Sequence, residues 1–132
     1  MPREADVEAL ARAWLRRARS NLALAKQPKP PEVVWEDLCF EAQQAAEKAV
    51  KAVLVKHQIA FPKTHDLGVL LGLLEQGVPA VPDVLWEGRD LSRFATAARY
   101  PEGTTPATEA DHRDAVRIAD EAVRWAQGQF DA

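Results

Sequence analysis

An all-α fold, an up-and-down antiparallel helical bundle of four long helices plus one shorter helix, is what this sequence predicts. Two observations carry the prediction. Apolar residues recur at steps of three and four along five stretches, and the prolines gather between those stretches at 28, 30, 31, 62, 79, 82, 101 and 106. The first pattern is the signature of a helix with one face against a core, and the second marks where helices must stop. A third observation is negative: no useful length of chain alternates apolar and polar residues as a strand would. Short connections then make consecutive helices antiparallel neighbours.

The elements follow in order. Helix one is expected from about Asp6 to Lys26, with Val7, Leu10, Ala11, Trp14, Ala18, Leu22 and Ala25 on one stripe, and Pro28 to Pro31 ends it. Helix two is expected from about Val33 to Gln58, on a stripe of Leu38, Ala42, Ala45, Ala46, Ala49 and Val53. Helix three opens at Thr64 as N-cap, buries Leu67, Leu70, Leu71 and Leu74, and stops at Gly77. Helix four runs from about Asp83 to Ala98 with Val84, Leu91, Phe94, Ala95 and Ala98 inward. After a loop over Arg99 to Ala107, Thr108 caps helix five, and Asp111 three residues on completes a capping box. Val116, Ala119, Val123, Ala126 and Phe130 face in.

Composition sets the class. The chain has 132 residues, which predicts one domain over 1–132 with a core of its own. Hydrophobic residues at 47% and charged residues at 28% exclude a disordered chain. The lone Cys39 excludes an internal disulfide and any cysteine-based zinc site, and it fits a reducing cytoplasm. No apolar run approaches the ~20 residues a membrane span needs, and the opening Met-Pro-Arg-Glu-Ala-Asp is not the start of a secretory signal. A net charge of −3 argues against a dedicated duplex-DNA binder, so any nucleotide contact is local. Arg12, Arg16, Arg17, Arg19 and Lys26 follow one another on helix one without an intervening acid, which reads first as a solvated face.

Helix two carries a further signal. Phe40 and Leu54 lie off its alanine stripe, near Gln44, Lys48 and Lys51. Apolar residues on an otherwise wet face predict a second contact surface, here a homodimer contact through Phe40, Gln44, Lys48 and Leu54. The alternative is a scattered surface hydrophobe, which is common.

At this point the sequence resembles a known family. Trp14-Leu15-Arg16-Arg17-Ala18-Arg19-Ser20-Asn21-Leu22 resembles the opening helix of HEPN domains, and Cys39 through Ala52 (CFEAQQAAEKAVKA) resembles their second helix. Thr64-His65-Asp66-Leu67 is similar to the short segment that opens their third helix, and Arg99-Tyr100-Pro101 to a motif of one large subgroup. The pieces stand in the family's order across nearly the whole chain. The resemblance implies a helical bundle that dimerises and that binds nucleotides or acts on RNA. It also implies a small nucleotidyltransferase partner in a toxin–antitoxin-like pair.

Ribonuclease members of that family carry an arginine, four to six residues, then a histidine, so that a guanidinium holds the scissile phosphate while imidazole moves a proton. The three histidines here are His57, His65 and His112, and none has an arginine at that distance before it. The ribonuclease motif is absent. His65, beside the expected start of helix three, is the histidine to single out: a neutral imidazole with free backbone N–H groups could meet a phosphate or a base, with Lys63 adding charge. Local capping or packing is the alternative. Arg99 offers a fork for phosphate and Tyr100 a stacking face, with Arg93 nearly two turns earlier on the same helix. The alternative there is an arginine at a helix end and a tyrosine filling a gap. Glu109 to His112 has the Glu-x-x-His spacing of di-iron bundles, but no second such pair exists, so it reads as a capped helix start. With no glycine-rich phosphate loop, the reading assigns no metal and no organic cofactor.

The expectation is therefore a dimeric binding module for nucleotide or RNA phosphate around His65 and Arg99. Two rivals stand beside it: a metal-independent ribonuclease toxin with a non-standard site, and a helical adaptor without ligand.

Overall fold

Alanine decides which helix lies in the middle. Helix α2 (Trp35–Lys56) presents Cys39, Ala42, Ala45, Ala46, Ala49, Val50, Ala52, Val53 and Leu54 with no exposed surface at all. Small side chains let neighbouring helices come close on several sides at once. Helix α1 (Glu4–Ala25) and helix α6 (Glu109–Asp131) pack along α2, while α3 (Leu67–Gly77) and the stretch from 83 to 97 cover its remaining flank. These positions come from a computed structural model that describes residues 3–97, 102 and 105–131. Among the described residues every regular element is helical, so the fold is an all-α bundle, and no helix is long and apolar enough to cross a membrane.

Burial of most of α2 corrects two sequence expectations. Leu54 is fully buried inside the chain, so it cannot offer a surface to a second copy. Gln44 is also covered, at 9% exposure. The dry side of α2 takes in most of its circumference and leaves only a narrow open strip through Asp37, Glu41 and Lys48, so the one-stripe reading fails. On α1 the error runs the other way: Leu10 is 54% exposed, and Leu15 takes the inward position.

The expected fourth helix is broken. Helix α4 (Asp83–Glu87) passes into a tight 3-10 turn over Gly88–Ser92 and then into α5 (Arg93–Ala97). Gly88 marks the break: a methyl group there would stand 2.8 Å from Leu67 Cδ2 and 3.2 Å from Ile118 Cγ2. The chain presses its backbone onto α3 and α6 at this point, and Leu85 rather than Val84 goes into the core.

Helix ends are closed by identifiable groups. The capping box at α6 is present, with Thr108 N–H donating to Asp111 Oδ2 (2.9 Å) and Asp111 N–H to Thr108 Oγ1 (3.1 Å). His112 Nε2 donates to the carbonyl of Ala25 (2.7 Å), closing the end of α1 from α6. Helix α2 ends in a left-handed residue, Gln58 (φ 55°), with Ile59 N–H on Leu54 O and Gln58 N–H on Val55 O. That pair of bonds is the Schellman ending, whose left-handed position suits glycine. Cys39 lies in the core, and burial, reinforced by the charge of Asp111, pushes its thiol up to about 12.

Two stability outcomes follow. Gln58→Gly should raise stability by about 1 kcal/mol in urea denaturation, because it removes the left-handed strain of a side-chain-bearing residue. The Asp111 carboxyl is held below its ordinary value of 3.8, mainly by the Thr108 backbone N–H. A depressed carboxyl stabilises the fold above that value and stops doing so as pH falls through its folded value. Asp111→Ala should therefore melt below wild type at pH 7, and the gap should close on acidification well below 3.8.

Candidate functional site

Four buried polar side chains interrupt the alanines of α2: Gln43, Gln44, Glu47 and Lys51. Gln43, Glu47 and Lys51 recur every fourth residue, so they stack along one line of the helix. Lys51 Nζ donates to Glu47 Oε2 (2.8 Å), pairing two charges that are both nearly without solvent. Glu47 Oε1 accepts from Gln43 Nε2 (2.9 Å) and from His65 Nδ1 (2.9 Å), and Gln44 Nε2 donates to Gln43 Oε1 (2.7 Å). A buried carboxylate needs its lone pairs occupied, and this network does so. Lys51 is also roofed by rings, its Nζ lying 5.5 Å from the centre of Trp14 and 5.7 Å from that of Phe61. The two rings meet edge to face at 6.5 Å.

His65 is held at both ends. Its ring is fixed through Nδ1 to Glu47, which requires Nδ1 to carry the hydrogen. Its carbonyl accepts from Ser92 Oγ (3.0 Å). The side chain is nevertheless 53% exposed, so an imidazole of set orientation looks into solvent from a buried carboxylate.

The start of α3 differs from expectation. Asp66, not Thr64, is the N-cap, its Oδ1 accepting from Gly68 N–H (2.9 Å) and Val69 N–H (3.4 Å), while Leu67 N–H donates to Ser92 Oγ (3.0 Å). Thr64 acts one step earlier, accepting from Asp66 N–H (3.0 Å). The expected free N–H groups are thus taken, and a carboxylate sits where an anion would have docked. The part of His65 left open to solvent is its side chain.

The other predicted residues divide. Lys63 is exposed, two residues before His65. The Arg93 guanidinium pairs with Asp111 (3.5 Å) and covers the Phe94 ring, tying α5 to the start of α6. Arg99 and Tyr100 lie outside the described residues. Phe40 is partly exposed, and Lys48 donates to Asn21 Oδ1 (2.8 Å), whose amide in turn donates to Glu41. His112 stacks against Trp35 and caps α1, a structural post. Among the described residues no group of three potential ligands could hold a metal ion. Sequence reasoning missed Glu47 and Gln43, although their four-residue spacing with Lys51 inside an alanine run was the available signal.

Removing one member of the buried pair should be costly. Glu47→Ala leaves Lys51 charged and unpaired, and should lower the unfolding free energy by roughly 3–5 kcal/mol. Adding Lys51→Met to that variant should recover much of the loss in the same denaturation experiment.

Comparison with known proteins is consistent with this architecture. The crystal structure of ST0689, an archaeal HEPN homologue, matches the chain with a TM-score of 0.53 and 27% identity over 98% of both chains. No curated protein matches it in sequence. The family model of the HEPN domain matches residues 11–129, which takes in the whole of α2, the His65 segment and nearly all of α6. The chain therefore belongs to the HEPN family, a nucleotide- or RNA-related helical module.

Proposed function

We propose that this HEPN domain binds a nucleotide or an RNA phosphate, works as a homodimer, and acts beside a small nucleotidyltransferase in a toxin–antitoxin-like pair. The observation that carries the binding reading is His65, an exposed imidazole whose orientation is set by the buried Glu47 carboxylate. Its Nε2 accepts from a ribose hydroxyl or base N–H when neutral and donates to phosphate oxygen when protonated. Lys63 supplies charge next to it, and the family resemblance adds Arg99 and Tyr100 to the same site. The dimer reading rests on the family and on Phe40, which α2 leaves partly exposed near its N-terminal end. The nucleotidyltransferase partner rests on the resemblance.

One observation favours a second reading, a ribonuclease with a non-standard site. A carboxylate behind an imidazole is also how a general base is oriented. Against it stands the missing arginine–histidine motif.

Calorimetric titration with mononucleotides and short RNA separates these readings. Wild type should bind, and His65→Ala and Arg99→Ala should each weaken binding by at least about tenfold, the loss expected of a charge-assisted hydrogen bond. Arg99→Ala should leave the melting temperature unchanged. Unchanged binding in both variants would remove the site. Turnover of RNA by the purified chain alone would move the ribonuclease reading ahead, and no binding in any protein would favour an adaptor. Light scattering at micromolar concentration should give twice the chain mass, reduced by Phe40→Glu.

A further inference from the structure

A cleft of about 330 Å³ opens between α1 and α2, lined by Leu10, Ala13, Trp14, Arg17 and Lys48. Small-molecule sites begin at roughly this size. Its walls are of two kinds. Leu10, Ala13 and the Trp14 ring give an apolar floor, and Leu10 is among the most exposed large apolar side chains described. Arg17 and Lys48 supply two cations. Among the described residues Arg17 forms no ion pair. Lys48 is held by the neutral amide of Asn21, which stands between it and Glu41. Among the described residues neither charge is neutralised by a direct carboxylate contact.

Trp14 is also pinned. Phe61 meets it edge to face, and Lys51 Nζ lies over its ring. Lys51 continues through Glu47 to His65, so an unbroken line of contacts joins the cleft to that histidine. The cleft-lining surface of a fixed indole beside two cations is an arrangement that meets a base through the ring and a phosphate through the charges.

We propose that this cleft is a nucleotide subsite, taking the base against Trp14 and Leu10 and the phosphate between Arg17 and Lys48. The inference rests on the nucleotide-binding reading above but assigns a second place on the surface, served by different residues. The shared chemistry is a nucleoside phosphate, free or as one unit of a single strand. Either form should bind less tightly as salt rises, because exposed cations are screened.

Tryptophan fluorescence tests it. Full-length protein is titrated at low salt with adenosine monophosphate and, separately, with an adenosine hexanucleotide. Wild-type emission should change on binding, and that change should disappear in Trp14→Phe, which keeps a ring in the core. Arg17→Glu and Lys48→Glu should each weaken binding by about tenfold or more, in line with removal of a charge-assisted contact. Circular dichroism melts confirm that the variants fold. A hexanucleotide affinity well above that of the mononucleotide identifies a strand as the occupant, and equal affinities identify a free nucleotide.

Binding that is lost in His65→Ala yet untouched by Arg17→Glu, Lys48→Glu and Trp14→Phe would overturn the subsite and leave the His65 reading standing. No response to either probe, with calorimetry also silent, would overturn both. If Arg17→Glu halves the mass seen by light scattering without altering nucleotide affinity, a second copy of the chain covers the cleft and the subsite is wrong.

Discussion

A charge pair buried within the central helix constrains everything around it. Glu47 and Lys51 are buried together on α2, and neither can be left without partners in that environment. Gln43 comes from the same helix, but His65 and the rings over Lys51 come from elsewhere: Trp14 from α1 and Phe61 from the connection before α3. Those segments must stop at one register for the network to close. A pair of leucines in the same place would pack comfortably and tolerate a slip of the connection, whereas the carboxylate does not. The pair acts here as a positional constraint more than as a source of stability.

That constraint explains which parts of the fold were legible in the sequence. The all-α class, the proline-marked connections and the Thr108–Asp111 capping box all depend on local rules, and they are legible in the sequence. Leu54, Gln44 and Leu10 were misplaced because each judgement assumed one dry face per helix. α2 has a neighbour on nearly every side, and α1 carries an apolar residue on an open one. The broken fourth helix was hidden in Gly88, whose lack of a side chain matters through contacts with Leu67 and Ile118 that are remote in sequence. His65 was readable as a candidate, but its carboxylate was not, since a glutamate amid Gln, Lys and Ala reads as a solvent-facing residue.

Polarity around His65 is uneven in a way that bears on ligand orientation. Asp66 and Ser92 take up the first N–H groups of α3, so one side of the histidine carries a carboxylate where a bare helix end would have carried partial positive charge. Lys63 lies on the approach from the preceding connection. An anionic group is thereby disfavoured over the helix end and favoured toward the lysine, so a phosphate in the proposed site would be confined to one side of the imidazole. Arg93, drawn to Asp111, reinforces the junction of α5 and α6 and not this field.

The double anchoring of His65 has a kinetic side. Most exposed histidines sample several ring orientations, so a ligand that needs one of them meets the competent arrangement only part of the time. Here the carboxylate fixes the ring and Ser92 fixes the backbone before anything arrives. Encounter with Nε2 is then not gated by side-chain rearrangement. In the proposed site, discrimination between ligands would then lie in how long each one stays, with arrival rates nearly common to all of them.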